Sequence, residues 1–240
     1  MQKSAARDVI SEKSPASSWP RPMVRAYHKG NVAEDLRLTT LRILQTERLE
    51  DLSVRRLTRE VRVAPANFYN HYDSLNTLLL EIAADCLEDF ATTIGHIARR
   101  SPNRHDALKR TVTHYVEFAC RHTQLYRVVF GYLTDSAQHS RYDAATQRTF
   151  DRLRALVEGE EFPRIESDET DPEPPARDTA HIGHCIFAMA HGLAGMIAHG
   201  HVNVPHENDT RIQDFVERII DLFTHNPLTR RQTTACAFGH

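Results

Sequence analysis

The residues best able to do chemistry lie between Ser53 and Tyr72. Arg55, Arg56, Arg59 and Arg62 place four guanidinium groups on one short stretch, and the neutral hydrogen-bonding ends of Asn67, Tyr69 and His71 follow. Guanidinium groups pair with phosphates and with the guanine edge, and an amide pairs with adenine, so the pattern suits a polyanion carrying bases. Val54, Leu57 and Val61 share one face of a short helix that Ser53 caps. A polar break follows at Arg62, and Pro65 opens a second short helix running to Tyr72, with Phe68 and Tyr72 inward. Two short helices joined by a tight turn predict a helix-turn-helix that holds DNA. Ser53, at a helix start with free N–H groups, is then a phosphate site and Arg55 a base reader. Arg55, Arg56 and Arg59 can equally be read as a solvated helix face.

The elements that position these groups are all helical. The first runs from near Asn31 to about Arg48, with Leu36, Thr40, Ile43 and Leu44 inward. Ser74 caps a fourth helix of about six turns, whose stripe is Leu75, Leu78, Leu79, Ile82, Cys86, Phe90 and Ile97. Further helices are expected over Asn103–Arg121, Gln124–Leu133, Gln138–Val157, Asp178–His199 and Asp209–Thr224. On the last of these, Ile212, Phe215, Val216, Ile219 and Phe223 form one face. Glu158–Pro175 is acidic, contains Pro and has no apolar period, which predicts a loop. With no β-rich run and no internal repeat, the fold class is all-α. Four units follow: an arm over 1–30, a DNA-binding domain over 31–73, a helical body over 74–226 and a tail over 227–240.

Charge divides along the same boundary. Residues 1–72 hold thirteen Lys and Arg against eight Asp and Glu, whereas residues 73–240 hold seventeen against twenty-four. A basic front on an acidic body fits a DNA reader with a separate regulatory part. Cys86, Cys120, Cys185 and Cys236 form no Cys-x-x-Cys pair. They read as reduced thiols of a cytoplasmic protein. The longest apolar stretch, Ile186–Ala198, is too short to span a bilayer, so no membrane partner is expected.

Phe68-Tyr69-Asn70-His71-Tyr72, followed by Ser74 and Leu78-Leu79, carries a family resemblance. It is similar to the DNA-binding domain of the tetracycline-repressor (TetR) family, over about Val32–Leu87 and more loosely beyond. The resemblance implies that Pro65, Ala66 and Asn67 face the major groove, with Asn67 suited to an adenine edge and Ala66 to a thymine methyl. It also implies that Tyr69 and His71 bond phosphates. The chain departs from the family pattern at three places. Arg62 stands where the turn usually has Gly, Ala64 where the recognition helix usually has a Ser or Thr cap, and Leu75 where a phosphate-binding Lys is usual. Either Arg62 adopts positive φ at a cost of about 1 kcal/mol, or a different turn is used. The missing cap costs roughly 1 kcal/mol.

The same resemblance implies a homodimer built on the last two large helices, the first of which carries Ala188, Ala190, Gly192, Ala194, Gly195 and Ala198. It further implies a small-molecule effector bound in the body, with no cofactor and no catalysis. Aromatic walls with a few polar tips suit an apolar or aromatic effector, which makes Tyr115, Phe118, Tyr126, Phe130, Phe187 and His191 the pocket candidates. The rival is a helical metal-binding protein or an interaction module without DNA binding. His181 and His184, three apart on one helix with Cys185 and His191 nearby, would carry the metal. The chain lacks His-Glu-x-x-His, and one Asp178-x-x-His181 unit falls short of the two that a di-iron bundle needs.

Overall fold

In the computed structural model the described residues are 31–132, 139–158, 179–198, 201–202 and 209–225. The expected arm, acidic loop and tail lie outside them. The described chain is helical throughout.

Helix α1 (Val32–Thr46) starts on Asn31, whose side chain accepts from the Glu34 N–H, and buries Leu36, Thr40, Ile43 and Leu44 as expected. A 3-10 turn over Leu49–Asp51 leads to α2 (Val54–Val61), where Ser53 accepts from the Arg56 N–H at 3.3 Å. Helix α3 (Pro65–Tyr69) is short, with Phe68 fully buried at the centre of the three-helix head. It ends three residues before the expected Tyr72. The N–H groups of His71 and Tyr72 both turn back to the Phe68 carbonyl, closing the end.

The long helix α4 (Leu75–Arg100), capped by Ser74, is the axle of the molecule. At 26 residues it is about 39 Å long. Its buried side widens from the expected stripe to include Leu80, Ala83, Ala84, Leu87, Ala91 and Ile94, because it is covered on more than one side. It follows the head directly, and α7 (Ser140–Glu158) lies along much of its length. Helix α5 (Arg104–Arg121) begins on Asn103 and contacts α4, α7, α8 (Thr179–Ala198) and α9 (Asp209–His225), which makes it the centre of the body.

The expected Gln124–Leu133 helix is divided in two. Helix α6 covers Thr123–Arg127, and a π-turn follows over Val128–Tyr132. The wider turn accommodates the fully buried Val128 and Val129 against the core while Phe130 stays half-buried. The Tyr142 hydroxyl donates to the Val129 carbonyl at 3.0 Å, so that polar group is not stranded. On α9 the core side is Ile212, Val216 and Ile220, not the whole expected face. Phe215 and Ile219 are only half-buried and Leu222 is exposed, which leaves α9 with a second apolar face.

The turn between α2 and α3 takes the positive-φ alternative. Arg62 sits at φ 60°, ψ 43°, alone among the described non-glycine residues in having positive φ. Two bonds justify the strain: the Arg62 N–H donates to the Arg59 carbonyl at 3.3 Å, and the Val63 N–H to the Thr58 carbonyl at 2.9 Å. This paired termination satisfies the helix end and brings Val63 onto the core. Arg62→Gly should therefore stabilise the fold by about 0.5–1 kcal/mol, since it relieves the left-handed penalty at the cost of some unfolded-chain entropy. Urea denaturation checks this, and a lower midpoint for the variant would contradict the account.

Candidate nucleic-acid interface and aromatic cluster

The α2–α3 unit presents most of the expected DNA-contacting residues on its outer side. Ser53, Arg55, Pro65, Ala66, Tyr69 and His71 are exposed and Asn67 is half-buried. Tyr69 is 57% exposed although the adjacent Phe68 is fully buried. The reason is helical spacing: Phe68 points to the head core, and its ring meets the edge of the Tyr69 ring at 5.4 Å. Tyr72, inward as expected, donates its hydroxyl to the Ala33 carbonyl at 3.3 Å and ties α1 to the end of the recognition unit.

Arg56 has a different setting from Arg55. Its guanidinium contacts Glu47 at 2.6 Å and Glu60 at 3.1 Å, and these hydrogen bonds hold its pKa above the ordinary arginine value. Glu60 also receives Arg42 from α1. Arg56 thus braces α2 against α1, whereas Arg55 is exposed. Ala64 at the start of α3 makes no side-chain cap, as its residue type requires, and Pro65 fills the first helical position. Leu75 packs on the core in place of a basic side chain.

The head is joined to the body by polar links that the sequence reading missed. From α1, Arg37 reaches Asp85 of α4 at 3.3 Å, and from α7, Arg141 reaches the same carboxyl group at 2.5 Å. Arg141 also contacts Glu81 and Glu88, and His139 sits 3.1 Å from Glu81. Partial burial alone would lower the pKa of Arg141, but Asp85 and Glu81 together hold it raised. On the neighbouring α4 turn, burial pushes the Asp89 carboxyl up, and Asp85 and Glu88 add to the effect. A second link runs through α6. The Leu49 N–H donates to Gln124 Oε1 at 3.0 Å, and Arg127 reaches Glu50 at 2.5 Å.

In the body, five of the six pocket candidates converge. Tyr115 of α5 meets Tyr126 of α6 at 6.0 Å, Phe130 at 5.3 Å and Phe187 of α8 at 5.9 Å, measured between ring centroids. The His191 ring lies nearly parallel to Tyr126 and Phe187, each at 5.5 Å. Both tyrosine hydroxyls lie 2.9 Å from His191 Nδ1, so three polar atoms meet among the rings. Burial raises the pKa of both tyrosines and lowers that of His191, so all three stay neutral near pH 7. Phe118 is buried beside His122, at 5.7 Å. Two unexpected members join the cluster: Phe90 edges Tyr115 at 5.6 Å, and Phe150 of α7 edges Phe187 at 5.3 Å. Phe90 was legible only as one more residue of the α4 stripe.

The histidines of the metal reading are used differently. His184 stacks on Phe150 at 4.9 Å, while His191 bonds the tyrosines. The side chain of His181 lies outside the described residues. Among the described residues no group of three or more His, Cys, Asp or Glu is placed to hold a metal ion. No described helix is long and apolar enough to cross a membrane.

An exposed two-helix unit on a helical body with a buried aromatic cluster has the architecture of a helix-turn-helix regulator. Residues 108–223 match the family model for the tetracyclin repressor-like C-terminal domain. Similar solved structures include a protein of unknown function from Rhodococcus sp. RHA1, with TM-score 0.60, 20% identity and coverage of 81% of this chain and 97% of that one. The fatty acid degradation regulator FadR from Bacillus halodurans aligns with TM-score 0.57 and 12% identity, over 83% of this chain and 98% of its own. The TetR family regulator PfmR from Thermus thermophilus aligns with TM-score 0.50 and 16% identity, over 82% and 96% respectively. No curated protein matches the sequence. The body thus carries a tetracyclin repressor-like C-terminal domain, and the all-α fold with a helix-turn-helix head is that of the tetracycline-repressor regulators.

One consequence of burial in the body is pH dependence. His114 stacks on Phe90 at 5.7 Å, and burial, with the Arg121 charge adding, pushes its pKa down to about 4. The folded protein holds His114 neutral where the unfolded chain already binds a proton, so stability must fall as pH drops from about 6.5 to 4. The loss should approach about 3 kcal/mol. His114→Phe, which keeps an aromatic ring and removes the titration, should flatten this part of a stability-versus-pH curve. An unchanged slope would assign the acid sensitivity elsewhere.

Proposed function

We propose that this regulator is a repressor that binds a palindromic operator as a homodimer and is released by a small apolar or aromatic effector. The observation that carries the DNA reading is the outward presentation of Tyr69, His71 and Arg55 around a recognition unit whose inner ring, Phe68, is fully buried. In this reading Ser53, Tyr69 and His71 fix the register on phosphates, and Asn67, Ala66, Pro65 and Arg55 meet base edges. Arg56 acts indirectly, by holding α2 on α1 through Glu47 and Glu60. Double-stranded DNA and a small-molecule effector are the partners, and a DNA reader of this kind works in the cytoplasm.

The surface of α8 and α9 supports the homodimer. Met196 is 42% exposed and Leu222 63%, and both lie beside half-buried apolar residues such as Met189, Phe215 and Ile219. A side-chain carbon added at Gly192 or Gly195 would meet nothing within 4 Å, so this side of α8 is open to a second helix. Two copies joined here would have to hold their recognition helices about 34–36 Å apart to read successive major grooves.

Gel-shift titration against DNA flanking the protein's own gene tests the DNA reading. Asn67→Ala should cost about 1–3 kcal/mol on the preferred site and relax its preference at one base position. Tyr69→Phe should weaken all sites alike, because a phosphate contact carries no sequence information. Wild-type affinity and selectivity in both variants would remove the α2–α3 interface as the reader. For the dimer, Met196→Arg should shift the sedimenting species from dimer to monomer and reduce operator affinity at least tenfold, since one half-site then binds alone. A dimer that survives this change would place the interface on another face.

A further inference from the structure

The chemistry of the aromatic cluster restricts what it can accept. Resting on the reading of this cluster as the effector site, we infer that the effector is an uncharged aromatic molecule carrying a hydroxyl. Its ring would stack among Phe130, Phe187 and His191, and its oxygen would bond at the Tyr115–Tyr126–His191 node.

The inner part of the site is two buried tyrosines, and its outer part is three half-buried rings. The polar atoms at the junction are two phenolic oxygens and one imidazole nitrogen, each hydroxyl 2.9 Å from Nδ1. Nδ1 has a single lone pair, so as an acceptor it takes one hydroxyl, and the two tyrosine hydroxyls also bond each other. The node therefore offers both donors and acceptors, and none of the residues forming it is a cation at neutral pH. A phenol can enter such a network by donating and accepting in place of one tyrosine–histidine bond. A carboxylate would be buried without a counter-charge, and its desolvation opposes entry. A plain hydrocarbon ring would break a bond at the node without replacing it.

Ring geometry suits an aromatic guest. His191 lies nearly parallel to Tyr126 and to Phe187, at 30° and 28°, so stacking with a flat ring is already the local habit. Phe130 supplies one wall. It stands on the π-turn of Val128–Tyr132, and π-turns recur at functional sites.

The test is calorimetric titration of the full-length protein at pH 7.5 with three probes of one shape: 4-methylphenol, 4-methylbenzoate and toluene. The expected result is 4-methylphenol binding tighter than either of the others by about tenfold or more. Tyr126→Phe, which keeps the ring, should erase most of the preference for 4-methylphenol over toluene without unfolding the protein. Phe187→Ala should weaken all three. Equal binding of 4-methylbenzoate and 4-methylphenol at pH 7.5, lost in Phe187→Ala, would keep an effector site here and overturn its chemistry as inferred. A 4-methylphenol preference untouched by Tyr126→Phe would overturn the role of the node. Binding by none of the probes up to millimolar concentration would overturn the inference. Operator binding released by some other small molecule would then leave the regulator reading standing.

Discussion

Helix α4 has to belong to two cores at once, and most of the architecture is a consequence of that requirement. It shares one continuous hydrophobic cluster with Leu36, Ile43, Leu57 and Phe68 of the head, and it packs against α5 and α7 in the body. A helix buried on more than one side has little room for charge, yet α4 carries Glu81, Asp85, Glu88 and Asp89 along its remaining exposed edge. Four acids this close repel one another, and that repulsion adds to burial in holding the Asp89 carboxyl up. Arg141 and Arg37 relieve the repulsion from opposite elements, one from the body and one from the head. Asp85 is the carboxyl group both of them use. Isolated surface ion pairs are worth little, but this partly buried network fixes the angle at which the head meets the axle.

The head shows how a motif tolerates losses when its supports are redundant. Arg62 occupies a left-handed conformation that glycine would adopt freely, and two backbone hydrogen bonds together with the packing of Val63 hold it there. Ala64 forgoes a side-chain cap, and Pro65 makes the omission cheaper by fixing φ at the first helical position. Arg56 turns what looks like a fourth DNA-facing charge into an internal brace with Glu47 and Glu60. Each of these shifts a basic group or a polar cap between folding and recognition. Affinity for DNA then depends on fewer exposed groups than the sequence suggests.

What could be read from the sequence followed the strength of local signals. Caps at Asn31, Ser53 and Ser74, with the apolar period after Asn103, placed the helix starts correctly, because those signals are written in adjacent residues. The π-turn after Arg127 was not legible, since apolar residues in Val128–Phe130 suit an α-helix equally well. The apolar face of α9 was legible as a set, but not its division into a core side with Ile220 and an open side with Leu222. Pocket aromatics could be guessed from residue type, yet Phe90 and Phe150 could not, because their place depends on how α4 and α7 pack against α5. The Arg37–Asp85–Arg141 network was invisible for the same reason: its members are 48 and 56 residues apart in sequence.

Helix α6 is the shortest physical route between the aromatic cluster and the head. Its five residues present Tyr126 to His191 and, from the same single turn and a half, Gln124 and Arg127 to the Leu49–Glu50 turn. A helix this short has no independent stability and takes its position from what it touches on either end. Its hydrogen bonds therefore make opposing demands: a shift of Tyr126 away from His191 moves Gln124 relative to the Leu49 N–H. The Glu50 carboxyl, held down to a pKa of about 2 chiefly by its hydrogen bond to Arg127, gives the outer end of this connection an ionic grip on the head. Coupling by this route needs no change within α4 itself. A change of a few ångströms at the recognition helices is enough to spoil a fit to two successive major grooves.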